Sequence, residues 1–477
     1  PKPCPIRILG MAPGAELVGL KVFGQTNATT TSAFVQAIDY AVNVDHVNVL
    51  NESFGGNPFP DLRNDPISLA NDNAVAAGVT VTVSSGDAGA AGTIGSPGSQ
   101  AGVITVGATT QFRAYTQVNA SGINLGNGGY LNNNIAALSS AGFTQLGPRT
   151  VDVVAPGDSG WALCTPSRSH VPAFSDCMNL AGTAPSSIEL TGGTSESAPL
   201  TAGEAALVIQ AYRSTHHGAN PSPMVVKQII TSTATDLGIP ATEQGAGLIN
   251  SYRAVRAALS YRDTLATPSP RAGQLLITDT TAFTATAAPN AAEHFSFTVS
   301  NTGGQSQRVA PRLRTLGKTV FHASYTRYLD PVSAPGIFYD QVGLARAYIE
   351  QDFRVPAGVQ RLNAAIAWQA SAQPSSIVRL DLIDPSGRLA AFSDPQSSTL
   401  SSGFGQVNVR NPGSGRWRAM IWTRAAPTVN SYHGAVQLSV RGSRFVGVGS
   451  VSPPSRVVAP GHSAAFTIHV RMPARPG

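Results

Sequence analysis

The strongest chemical signal in the chain is the run Gly192-Gly193-Thr194-Ser195-Glu196-Ser197-Ala198-Pro199-Leu200-Thr201-Ala202-Gly203. Two glycines lead into a serine that opens an apolar helix. A serine in that place suits nucleophilic attack. The turn before it exposes the hydroxyl, and the helix N-terminus offers unpaired N–H groups and a positive dipole to a developing oxyanion. The same residues also fit a serine that only caps a helix. A serine nucleophile needs a proton acceptor, such as a histidine. His46 precedes a predicted strand, His170 lies between two cysteines, and His216 and His217 fall in a turn beyond the helix. Each reads as structural or solvated. No Cys/His cluster suggests zinc and no EF-hand-type loop suggests calcium, so no metal ligand and no cofactor is assigned.

The elements that must hold Ser195 are legible as an alternation. Residues 16–23 read as a strand, 32–42 as a helix, 47–50 as a short buried strand and 66–77 as a second helix. Pro66 suits the first turn of that helix and Gly78 its end. Residues 79–83 and 103–106 are further strands, and helices follow at 195–212, 223–233 and 248–261. Strand–helix–strand repetition with short connections predicts an α/β domain with a parallel sheet. After residue 262 the pattern changes. Short apolar or alternating runs at 295–300, 361–368, 377–383, 417–422 and 436–440 stand between Gly and Pro turns, which predicts all-β sandwiches. Residues 446–471 repeat the flavour of 283–300.

A chain of 477 residues exceeds one ordinary domain. The expected division is 1–262, 263–318, 319–442 and 443–477. With 42% hydrophobic and 12% charged residues, wholesale disorder is excluded, and no apolar run is long enough for a membrane span. Residues 1–262 hold 12 basic and 16 acidic side chains, whereas 263–477 hold 20 and 10. The excess positive charge of the rear part would favour an anionic surface, although Arg-rich coding gives the same count without any such partner. No nucleic-acid partner is indicated. Cys164 and Cys177 bracket a Pro/Ser-rich loop, and a disulfide between them would favour a secreted protein. Cys4 is then odd.

The Ser195 run resembles the nucleophile motif of the subtilase serine proteases, and further stretches match that family in the same order. Gly10-Met11-Ala12-Pro13-Gly14-Ala15 is similar to the segment after the family's histidine helix. Leu50-Asn51-Glu52-Ser53-Phe54-Gly55-Gly56 is similar to the substrate-cleft strand end, and Ser84-Ser85-Gly86-Asp87-Ala88-Gly89 to the loop with the oxyanion side chain. Gly245-Ala246-Gly247-Leu248-Ile249-Asn250 resembles the turn before the last core helix, with smaller matches at 138–142 and 151–157. The resemblance covers residues 10–260. It implies a secreted endopeptidase acting on protein or peptide substrates, with Ser195 as nucleophile. Ser53, Phe54 and Gly55 would form one wall of the primary specificity pocket, and Ser84, Ser85 and Gly86 the other. Calcium is often bound in this family, but no ligands can be named here.

Three departures from the pattern matter. The family's Asp and His precede the Ala-Pro segment, yet no Asp or His stands before Gly10. The resemblance therefore implies that both lie outside this chain. It is read as an N-terminally incomplete catalytic part, nearly inactive alone and poorly soluble. Residues 443–477 are read as the start of a further β domain. Asp87 replaces the usual Asn, and could donate to an oxyanion only while protonated. The sedolisins, acid-acting relatives with a Glu base, have Asp in such a loop and form an alternative, as does a non-catalytic pseudoprotease or adhesion protein. Glu196 replaces a common Met. Residues 319–442 resemble jelly-roll or pre-peptidase β domains, and 263–318 look fibronectin type III-like.

Overall fold

The computed structural model describes residues 8–24, 29–56, 64–89, 92–114, 128–144, 150–158, 160–165, 177, 187–263, 275–280, 282–283, 287–334, 336–339, 345–369, 377–393, 403–425 and 431–474. Strands β1 (Val49–Glu52), β2 (Thr80–Ser84), β3 (Ile104–Thr110) and β4 (Val153–Asp158) pair in that order, all parallel. Register decides which side chains share a face. Thr82 lies opposite Ile104 and Ser84 opposite Val106, so Val81 and Val83 point the other way. Helices α1 (Thr31–Asn43) and α2 (Pro66–Ala76) cover the Val81/Val83 face, where Ile38, Ala74 and Val103 join the cluster. The Ile104/Val106 face is covered by α3 (Thr194–Thr215), α4 (Pro223–Thr233) and, after the short α5 (Ala241–Gln244), α6 (Ser251–Ser260).

Local chemistry sets these helices. In α1 the buried residues Phe34, Ile38 and Ala41 recur at helical spacing, and each large one contributes about 1.5–3 kcal/mol by leaving water. Thr30 caps α1 by accepting from the Ala33 N–H at 3.3 Å. Asp65 caps α2 through the Ser68 N–H at 3.2 Å, with Pro66 in the first turn and Gly78 in a left-handed conformation (φ +97°) just beyond the end.

The expected strand at 16–23 is not formed. These residues have no strand partner, and Leu17 is 92% exposed. An alternating pattern makes a strand only where a neighbour takes its N–H and C=O groups, and β1 pairs with β2 alone. The last helix begins at Ser251 rather than 248, because Leu248 is held in bridges to Val154 and Thr235.

Beyond β5 (Gly160–Leu163) and β6 (Ile188–Thr191), which pair antiparallel, the remaining strands are β7 (Leu276–Thr278), β8 (Ala292–Asn301), β9 (Gln307–Val309), β10 (Arg314–Leu329), β11 (Gly336–Tyr339), β12 (Ala345–Val355), β13 (Arg361–Trp368), β14 (Arg379–Ile383), β15 (Leu389–Phe392), β16 (Phe404–Arg410), β17 (Gly415–Arg424), β18 (Gly434–Gly447), β19 (Ser450–Ser452), β20 (Arg456–Val458) and β21 (Ser463–Arg471). Sheets β10-β18-β13-β16 and β11-β12-β17-β14-β15 enclose one core, with Trp417, Leu362 and Leu380 fully buried. Burial alternates along β12, β13 and β16, as a half-buried sandwich surface requires. β8 pairs with β21 from Ala292↔Arg471 to Ser300↔Ser463. Segments 263–318 and 443–477, separated in the sequence reading, thus share a sheet of order β19-β21-β8-β7. Periodicity cannot reveal a pairing across so long a separation.

Candidate active site

Ser195 is the second residue of α3, and four neighbours fix that helix end. Gly193 has φ +110°, which favours glycine, and its N–H donates to Gly157 O at 2.6 Å. Gly193 supplies no side-chain cap. Asp87 does so from another loop, its Oδ1 accepting from the Thr194 N–H (2.7 Å) and the Thr194 hydroxyl (2.9 Å). A carboxylate there also meets the positive end of the helix dipole. Any side chain at 193 would meet Asp87, since a Cβ would lie 2.7 Å from Oδ2.

Pro199 explains the next contact. It lacks an N–H, so the Ser195 carbonyl four residues earlier has no helical donor. The Ser53 hydroxyl donates to that carbonyl at 2.7 Å, while Ser195 Oγ donates to Ser53 O at 3.3 Å. The end of β1 and the start of α3 are therefore bonded in both directions, and Ser195 stands beside the residue that follows β1.

The other expected wall residues converge on the same place. Ser84 Oγ donates to Phe54 O at 3.5 Å, joining the ends of β1 and β2. Gly86, at φ +105°, gives its N–H to Thr194 Oγ1 at 3.1 Å. Ser85 turns inward, its hydroxyl donating to Ser140 O at 2.9 Å. Phe54 stacks on Phe34 with ring centroids 3.9 Å apart. Gly55 lies against Ser96, whose carbonyl accepts from Gly56 N–H at 3.0 Å and would be 2.9 Å from a Cβ on Gly55. The sequence reading missed Thr194, Ser96 and Ser140 as parts of this arrangement. Thr194 and Ser140 lay within recognised stretches, but only the tertiary contacts assign them a task.

Three carboxyl groups near α3 lack a cationic partner. Glu196 is pushed up to about 7 by burial, against the opposing Gly160 N–H that its Oε2 accepts at 3.2 Å. Burial likewise raises Glu52 to about 7; the Asn71 amide, donating at 2.8 Å, opposes this and Asp65 adds to it. Glu204 is raised to about 7 by burial, opposed by Ser251 and the Asn250 backbone. Among the described residues no histidine is bonded to Ser195. His216 is buried at the end of α3, with Nδ1 on Tyr212 O at 2.8 Å and its ring stacked on Tyr212 at 3.6 Å. His46 contacts Val42 O at 3.2 Å, and His170 lies outside the described residues. Cys164, just after β5, is disulfide-bonded to Cys177 with Cα atoms 5.8 Å apart. Among the described residues, no three His, Cys, Asp or Glu side chains converge as a metal-ligand group, and no helix is long and apolar enough to cross a membrane.

A sequence profile of the subtilase family matches residues 2–248. Subtilisin Savinase from Lederbergia lenta is 32% identical over 254 residues, spanning 53% of this chain and 72% of that protein. An alkaline protease from Alkalihalobacillus alcalophilus is also 32% identical over 254 residues, but there the match covers 51% of the relative, about half its length. Among solved structures, a lanthipeptide protease is 25% identical with a TM-score of 0.39, covering 52% of this chain and 71% of that one.

Proposed function

The chain belongs to the subtilase family, and from that premise we propose that it is the nucleophile-bearing part of a secreted serine endopeptidase. The observation that carries this reading is the reciprocal pair of hydrogen bonds between Ser195 and Ser53. It sets a hydroxyl at a helix N-terminus against backbone available to an extended peptide. In the proposed reaction Ser195 Oγ attacks the scissile carbonyl carbon and its proton passes to a general base. The C–N bond breaks as the leaving amine takes that proton, and water then hydrolyses the acyl ester. The Ser195 N–H, in the first turn of α3 and without a helical acceptor, faces the oxyanion. Among the described residues no proton acceptor of a titratable kind is bonded to Ser195 Oγ; the proposed reaction needs a general base and a carboxylate that orients it. The substrate is a polypeptide strand lying along Ser53–Gly55, with Ser84–Gly86 on its other side. The disulfide between Cys164 and Cys177 supports an extracellular setting.

Asp87 is given a conditional role. Thr194 occupies Oδ1 with two donors. A proton on Oδ2 would supply the second oxyanion donor, so activity of the intact protein is expected to rise as pH falls toward the carboxylate range. Hydrolysis of a chromogenic peptide by the intact protein tests this. Asp87→Asn should move the acid-side optimum upward; an unchanged profile removes Asp87 from the oxyanion site. The hydrogen bond from Ser195 Oγ to a backbone carbonyl favours a second reading, a non-catalytic protein that uses the cleft only to bind peptide. Peptide binding without turnover in the intact protein would support that alternative.

A further inference from the structure

Segment 128–142 runs from the β-sandwich to the Asp87 loop. At its first end it extends an edge strand. β15 is outermost in its sheet, and an edge leaves N–H and C=O groups unpaired. Residues 128–131 pair with it: Gly128 N–H donates to Gly387 O (2.9 Å), Leu389 N–H to Gly129 O (2.9 Å) and Leu131 N–H to Leu389 O (2.8 Å). Tyr130 and Leu389 form a parallel bridge. Asn134, 2% exposed, then reaches the edge strands of both sheets. Its Nδ2 donates to Ala390 O at 2.9 Å on β15, and its Oδ1 accepts from Arg410 N–H at 2.9 Å on β16. Its own carbonyl accepts from Thr110 N–H at 2.8 Å, which ties the segment to β3.

At the second end the same segment lies along the loop after β2. Ser140 N–H donates to Gly86 O (2.8 Å), Gly89 N–H to Leu138 O (2.9 Å) and Ala88 N–H to Ser140 Oγ (2.9 Å). Asp87 is thus bracketed on both sides by bonds to 138–140.

We propose that the β-sandwich is part of the machinery that shapes the active site, and that Asn134 is a positioning residue. By locking segment 128–142 onto the edges of both sandwich sheets, it holds the loop 84–89 in place against Thr194 and Ser195. The functional consequence rests on the nucleophile reading given above, but the coupling itself does not require catalysis.

Amide hydrogen exchange on the full chain tests the coupling directly. Asn134→Ala removes both side-chain bonds, and exchange at Ala88, Gly89 and Ser140 should quicken about tenfold or more while core amides of β2 and β3 keep their rates. Asn134→Gln, which keeps an amide donor and an amide acceptor, should restore part of the protection, and it decides the matter by the same amides if Asn134→Ala does not fold. Arg314→Ala breaks a different contact between the two parts, the exposed pair with Asp236, and should leave those amides unchanged. In the intact protein Asn134→Ala should lower kcat/KM, while Arg314→Ala should leave it unchanged, since the loop carries both a wall of the cleft and Asp87. Faster exchange at 389–391 with none at 84–89 overturns the proposal, as does uniform acceleration throughout the β2–β3 core.

Discussion

The acidic side chains around α3 and those on the β-sandwich surface are treated in opposite ways. Around α3, Glu52 and Glu204 are buried and Glu196 half-buried, no cation is bonded to them among the described residues, and burial raises each to about 7. In the sandwich, Asp352 lies under Arg416 and Arg418, and the Arg416 bond is the largest cause holding its carboxyl below the usual range, against the opposing effect of burial. Asp381 is the sandwich's exception, raised to about 7 by complete burial with Trp422 and Arg379 opposing. Burial without a cation favours the protonated form of the three acids around α3. On the sandwich surface, Arg416 and Arg418 pair with Asp352, and Arg388 with Asp384.

The contrast can be broken at several points. The largest effect is expected from Ser195→Ala in the intact protein. In a subtilisin, loss of the nucleophile costs about 10⁶ in kcat, and a comparable fall in peptide hydrolysis is the expected result. Next, Trp417→Ala should destabilise the sandwich by about 3–5 kcal/mol, measured by denaturant unfolding, because a fully buried indole leaves a cavity. The acids predict a pH dependence of known sign. Each raised group contributes stability that is full below its unfolded pKa of about 4.3 and is lost as pH rises through about 7. Asp352 acts oppositely, its contribution present above about 4 and lost below. Melting temperature should therefore peak near pH 5 and fall toward pH 8, and Glu52→Gln should flatten the fall. Asp65→Ala removes the α2 cap and should cost about 1 kcal/mol. Arg416→Ala, at an exposed pair, should leave the melting temperature unchanged.

Much of the site could be read from residues in order. The glycines before Ser195 and the apolar helix after it specify a helix start, and Pro199 specifies a freed carbonyl. What the order of residues does not contain is the donor that meets that carbonyl, Ser53, which lies 142 positions away. The cap on α3 is hidden for the same reason, because Asp87 comes from the loop after β2. Residues 16–23 show the opposite failure. Their strand pattern is sound, but pairing is a property of two segments, and among the described residues no strand pairs with them. The union of β8 with β21 was illegible because both carry ordinary strand patterns, and only tertiary packing tells such strands which partner to take.

The central claim is that Ser195 is an activated nucleophile. Its most direct test is treatment of the folded, intact protein with a fluorophosphonate, followed by mass-spectrometric mapping of the adduct. The account predicts a single adduct on Ser195 that Ser195→Ala abolishes. A folded protein that binds peptide yet carries no adduct on Ser195 would contradict it.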